Sequence, residues 1–167
     1  MLARPVAVIV MGVTGSGKTT IGKLLAERMD CSFFDADDFH SLANVEKMRR
    51  GQPLEDADRF PWLEKLRNLI DDELRAGRSL VLACSALRQT YRDALVSSPG
   101  QVVFLYLKIR PETALARLEA RGGHYMPASL VPSQFETLEE PEHAIVVDGQ
   151  LAPAESVIVA VQHLRGK

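Results

Sequence analysis

Gly12-Val13-Thr14-Gly15-Ser16-Gly17-Lys18-Thr19 is a run whose residue types and spacing can hold a polyphosphate. Its three glycines let the backbone turn tightly and aim successive N–H groups at phosphate oxygens. Lys18 stands where an ammonium reaches the outer phosphates, and the Thr19 hydroxyl can ligate Mg²⁺. The apolar run Val6 to Met11 precedes the loop and a segment of helical periodicity follows it. The helix dipole therefore adds to anion binding. A nucleoside triphosphate with Mg²⁺ fits these eight residues, while the loop alone leaves the acceptor open among water, protein, nucleic acid and small molecule.

A second cluster, Asp35-Ala36-Asp37-Asp38 followed by Phe39 and His40, falls at the end of a short apolar segment. Ligands of open α/β sheets collect at such strand ends. Helix capping by Asp35 or Asp38 is the structural alternative. The later run Ser79 to Cys84 continues Ser85-Ala86-Leu87 without the aspartate that often closes a metal-binding strand, which shifts the metal role toward Asp35 and Asp37. Arg88, Tyr91 and Arg92 recur at helical spacing near that strand end. Arg117 and Arg121 lie one helical turn apart, just before Gly122-Gly123-His124. Two guanidiniums at the base of a glycine-broken segment suit a lid over about 121–132, closing on charge that develops during phosphoryl transfer.

The elements that must position these groups follow from periodicity. Val6 to Met11, Cys31 to Phe34, Ser79 to Cys84, Val102 to Leu107 and Ile145 to Val147 read as strands, the longest of them continuously apolar as in a parallel sheet covered on both faces. Between them, helical stripes predict Ile21, Leu24, Leu25 and Met29 on the sheet, a short helix over Asn44 to Arg50, and a helix opening at Pro61 with Trp62, Leu66, Leu69, Ile70 and Leu74 inward. Further helices are predicted from Pro111, over Pro132 to Leu138, and from Pro153. Strands alternating with helices imply a doubly wound α/β sheet with right-handed crossovers.

At 167 residues the chain fits a single domain, 1–167, and 46% hydrophobic content supplies one core. A net charge of -2 gives no global attraction to nucleic acid or an anionic membrane. Cys31 and Cys84 are expected to be reduced and structural. With no signal peptide before the first strand and no run of about twenty apolar residues, a cytoplasmic location is expected. A homodimer is the assembly considered.

The middle of the chain is more specific than the phosphate loop. Asp35-x-Asp37-x-x-His40, Asn44-x-x-Lys47-Met48 and Gly51-x-Pro53-Leu54-x-Asp56-x-Asp58-Arg59-x-Pro61-Trp62-Leu63 form a long, unusual string. Cys84-Ser85-Ala86-Leu87, Tyr91-Arg92-Asp93, Gly123-His124-Tyr125 and Ser133-Gln134-Phe135-Glu136-Thr137-Leu138-Glu139-x-Pro141 continue it. Together they resemble the gluconokinases over nearly the whole chain. Two departures are Ser41, where the family pattern has Pro, and Tyr125, where Phe is usual; neither removes a reactive group.

The resemblance implies a three-layer P-loop fold of the nucleoside-monophosphate-kinase type, with a five-stranded parallel sheet and a lid. It implies transfer of the γ-phosphoryl group of ATP, with Mg²⁺, to the terminal hydroxyl of D-gluconate. On that reading Lys18, Asp37, Arg117 and Arg121 are catalytic, Thr19 and Asp35 hold the metal, and Gly12 to Thr19 bind the nucleotide. Asp37, His40, Lys47, Arg59, Arg88, Arg92, His124 and Gln134 surround the acceptor, with Arg59 pairing its carboxylate. Shikimate and adenylylsulfate kinases are the nearest alternatives. A GTP switch is disfavoured because no Asn-Lys-x-Asp motif is present, and a nucleic-acid-dependent ATPase by the lack of a basic face.

Overall fold

The computed structural model describes residues 4–121 and 128–166. Five strands, β1 (Ala7–Met11), β2 (Ser32–Asp35), β3 (Leu80–Ala83), β4 (Val102–Lys108) and β5 (Ile145–Asp148), pair in parallel in the order β2-β3-β1-β4-β5. Seven α-helices are described: α1 (Lys18–Met29), α2 (Leu42–Arg49), α3 (Asp56–Arg75), α4 (Gln89–Ala94), α5 (Pro111–Arg121), α6 (Val131–Thr137) and α7 (Pro153–Arg165). No helix among the described residues is long and apolar enough to cross a membrane.

Strand alternation divides the core. Ala7, Ile9 and Met11 face α3 and α4, packing with Trp62, Leu63, Leu66 and Ile70. Val8 and Val10 face α1 and α7, packing with Ile21, Leu25, Val157 and Leu164. Each fully buried Leu or Ile contributes about 1.5 to 3 kcal/mol of transfer free energy, which explains why every residue of β1 is apolar. A third cluster, Val13, Leu87, Ala114, Leu118 and Val131, joins the phosphate loop to α5 and α6 beyond the strand ends.

Three sequence expectations shift. Leu24 is 36% exposed, because at 100° per residue it lies outside the arc of α1 that buries Ile21, Gly22, Leu25 and Ala26. Gly22 is required there: a Cβ would come within 2.6 Å of the Phe33 ring. Helix α3 begins at Asp56, before Pro61. Its start is fixed by Asp58, whose carboxylate accepts the Glu55 N–H at 2.8 Å, and Pro61 sits inside the helix at the cost of one backbone bond. Leu63, absent from the predicted stripe, is fully buried, whereas Leu69 is half-buried.

Register places the chemistry. Asp35 of β2 and Val10 of β1 both align with Ala83 of β3, so the acidic turn and the phosphate loop leave the same edge of the sheet.

Candidate active site

Met11 leads directly into the loop, and α1 opens at Lys18 with no acidic residue in its first turn. Its positive end therefore faces the cavity with no acidic residue of its own to offset it. Gly15 has φ 80°, and a Cβ there would approach the Ala114 carbonyl oxygen to 2.8 Å, so the position needs glycine for both conformation and space. Lys18 Nζ donates to the Val13 carbonyl at 2.9 Å, arching over the loop. Burial lowers the pKa of this ammonium, while Asp37 and Asp35 pull it back up.

A cavity of about 540 Å³ opens on this loop. It is lined by Lys18, Thr19, Asp35, Asp37, His40, Arg59, Arg88, Arg121 and Gln134 from the predicted set, together with Asp56, Trp62, Cys84 and Tyr91. Thr19 Oγ1 donates to Asp35 Oδ2 at 2.8 Å. A hydroxyl and a carboxylate are hard oxygen donors, the chemistry that suits Mg²⁺ shared with substrate phosphates. No cluster of three or more His, Cys, Asp or Glu arranged for a metal exists among the described residues. Asp35 Oδ1 also accepts the Asp37 N–H at 3.0 Å, capping the turn that carries Asp37. One carboxylate thus caps the turn and holds the Thr19 hydroxyl.

Arg59 lines the same cavity. Its Nη1 donates to the Leu54 carbonyl at 2.5 Å and to Tyr91 Oη at 3.1 Å. Tyr91 in turn donates to Asp56 Oδ1 at 2.6 Å. Both Arg59 bonds fall on one nitrogen, so Nε and Nη2 make no hydrogen bond among the described residues. Asp56 and Tyr91 escape a reading by residue type alone, since neither carries a charge pattern beyond its neighbours; the signal was their place in the motif string.

Several predicted residues do other work. Arg92 does not line the cavity and is 2% exposed. Its Nη1 donates to the Ala86 and Leu87 carbonyls at 2.7 and 3.2 Å, and its Nη2 to Glu139 at 2.8 Å. It thereby clips the β3–α4 loop, where Ala86 has φ 44°, to the segment after α6. Lys47 pairs with Asp58 at 2.7 Å rather than facing the cavity. Arg117, expected on the lid, lies behind the phosphate loop. Its Nη1 donates to the Gly15 and Ser16 carbonyls, each at 3.2 Å, and its Nη2 to Gly149 at 2.7 Å. Gln134 lines the cavity, but its Oε1 accepts the Thr14 N–H at 2.6 Å, tying α6 to the loop. Arg121 is exposed at the cavity edge. His124 and residues 122–127 of the expected lid lie outside the described residues. Cys84 and Cys31 are unbridged, and burial pushes the Cys84 thiol up to about 12, leaving it protonated.

Comparison with known proteins agrees with this geometry. A family profile described as shikimate kinase matches residues 14–144. A gluconokinase of Gluconobacter oxydans is 41% identical over 167 residues, covering 98% of this chain and 94% of that protein. A solved gluconokinase of Sinorhizobium meliloti superposes with TM-score 0.85 at 38% identity, covering 97% of this chain and 93% of that one. A solved sugar kinase from a Janibacter species reaches TM-score 0.90 at 44% identity, covering 96% and 95%. The shikimate kinase profile reflects a shared architecture, whereas these relatives match across nearly the full length; the chain belongs to the gluconokinase family of P-loop small-molecule kinases.

Proposed function

We propose that the protein transfers the γ-phosphoryl group of ATP to the terminal hydroxyl of D-gluconate, giving 6-phospho-D-gluconate and ADP. The observation that carries this reading is one cavity lined both by the phosphate loop and by an arginine whose Nε and Nη2 are uncommitted among the described residues. A flexible polyol acid offers one charged handle, and a planar guanidinium matches it with two parallel bonds.

Phosphoryl transfer asks the protein for positioning and charge neutralisation more than covalent chemistry. Lys18 and the amides near α1 bind the phosphates. Thr19 and Asp35 would hold Mg²⁺, which neutralises the phosphate oxygens and orients the triphosphate. Asp37 accepts or orients the proton of the attacking hydroxyl. Arg121, at the cavity edge, meets charge on the transferred group. Arg117 braces the loop: the peptide plane that turns the Ser16 carbonyl out toward its guanidinium turns the Gly17 N–H the opposite way. The reaction consumes ATP, and the cytoplasm is the compartment proposed for it.

Product analysis tests the assignment. Incubation with ATP, Mg²⁺ and gluconate is expected to give a phosphomonoester whose phosphorus couples to the two C6 protons. Phosphorus coupled to another carbon's proton, or ADP formed without a phosphorylated acid, would refute it.

A further inference from the structure

Asn44 is 5% exposed, and none of the transfer chemistry uses it. Its Nδ2 donates to the Asp58 carbonyl at 3.0 Å. A carbonyl only accepts, so this end of the amide is fixed as NH₂. The same nitrogen lies 3.3 Å from His40 Nδ1, so Nδ1 must present a lone pair. The His40 ring is held for that contact by stacking on Trp62, with centroids 4.1 Å apart and planes 17° apart. Trp62 is itself fixed by donating Nε1–H to the Ala36 carbonyl at 2.7 Å.

The His40 side chain is 3% exposed, and the charged groups that act on it are Arg59, Asp35 and Asp37. Burial, with Arg59 adding to it against Asp35, keeps the ring neutral at pH 7. One proton remains, and it resides on Nε2. Nε2 stands 3.9 Å from Asp37 Oδ1. That is too far for a direct hydrogen bond, yet one oxygen atom can lie within bonding distance of both.

We infer that Asn44 is a positioning residue: it holds His40 in the tautomer whose Nε2–H donates to an acceptor hydroxyl seated beside Asp37. His40 is then a neutral hydrogen-bond donor, neither base nor cation. The identity of that hydroxyl rests on the gluconate reading; the tautomer does not.

The test combines a spectroscopic and a kinetic arm on the intact chain. In ¹⁵N-labelled wild type without ligands, the His40 ring is expected to show an unprotonated Nδ1 and a protonated Nε2 at pH 7. Loss of one neutral hydrogen bond predicts that His40→Phe, which keeps a ring on Trp62, lowers kcat/KM for gluconate roughly 3- to 10-fold. Asn44→Ala should lower it similarly, and the double variant no further, because Asn44 acts through His40. His40→Gln, which restores a donor, should recover part of the loss. A protonated Nδ1 in the wild type overturns the inference with no variant needed. Fully multiplicative losses in the double variant also overturn it. Wild type inert toward gluconate but showing the expected tautomer would instead refute the substrate assignment alone.

Discussion

Replacing Arg117 by Met removes three bonds at once, two to phosphate-loop carbonyls at 3.2 Å and one to Gly149 at 2.7 Å, while keeping an unbranched side chain between α5 and the loop. A hydrogen bond from a charged donor contributes about 1.5 to 3 kcal/mol. If one such contribution is lost from the ATP-bound form, kcat/KM for ATP falls between about 10- and 150-fold. Because the same bonds also order the free loop, part of the loss appears as lower stability, and the kinetic effect should sit near tenfold. The assay is coupled ADP release, varying ATP at saturating gluconate and then gluconate at saturating ATP. A brace predicts a raised ATP KM, an unchanged gluconate KM and a slightly lowered Tm. Arg117→Lys should recover little, since one ammonium cannot span carbonyls on two loops. A collapse of kcat with ATP KM and Tm unchanged would refute the brace and return Arg117 to the transferred phosphoryl group.

Asp37→Asn preserves shape while removing the carboxylate, so kcat should fall at least 100-fold with ATP affinity unchanged; near-normal kcat in steady-state assays would remove Asp37 from the reaction. Arg59→Lys should raise the gluconate KM tenfold or more while leaving ATP KM within twofold, and an unchanged gluconate KM would transfer the carboxylate to Arg88. The His40 value is pushed down to about 4 from 6.5 by burial and Arg59. Between those values the unfolded chain binds more protons than the folded one, so this contribution to stability is full above pH 6.5 and declines as pH falls toward 4. Tm measured across that window should therefore vary less in His40→Gln than in wild type, and equal slopes would contradict a neutral buried ring.

The sheet was legible because its signals are local. The apolar run ending at Met11 and the glycines after it name a strand and a phosphate loop without tertiary information. Helix boundaries were less so: Pro61 invites a helix start, but the bond from the Glu55 N–H to Asp58 sets it five residues earlier. In the site, Lys18, Thr19, Asp35 and Asp37 converge as their spacing implies. Arginines were harder to sort, because sequence records a charge and not its partner. Arg59 meets the cavity, whereas Arg92 spends its donors on three backbone carbonyls and Arg117 turns to the rear of the loop. Asn44 shows the same limit, as the orientation of its amide toward His40 is set by a carbonyl fourteen residues away.

The most direct measurement is ADP release under one set of conditions with gluconate, shikimate, adenylylsulfate and nucleoside monophosphates as acceptors, each in wild type and in Arg59→Lys. The gluconokinase assignment predicts kcat/KM for gluconate at least 100-fold above every other acceptor, and a selective loss of that preference in the variant. Faster turnover of any other acceptor, or a gluconate rate no higher than ATP hydrolysis in its absence, would contradict it.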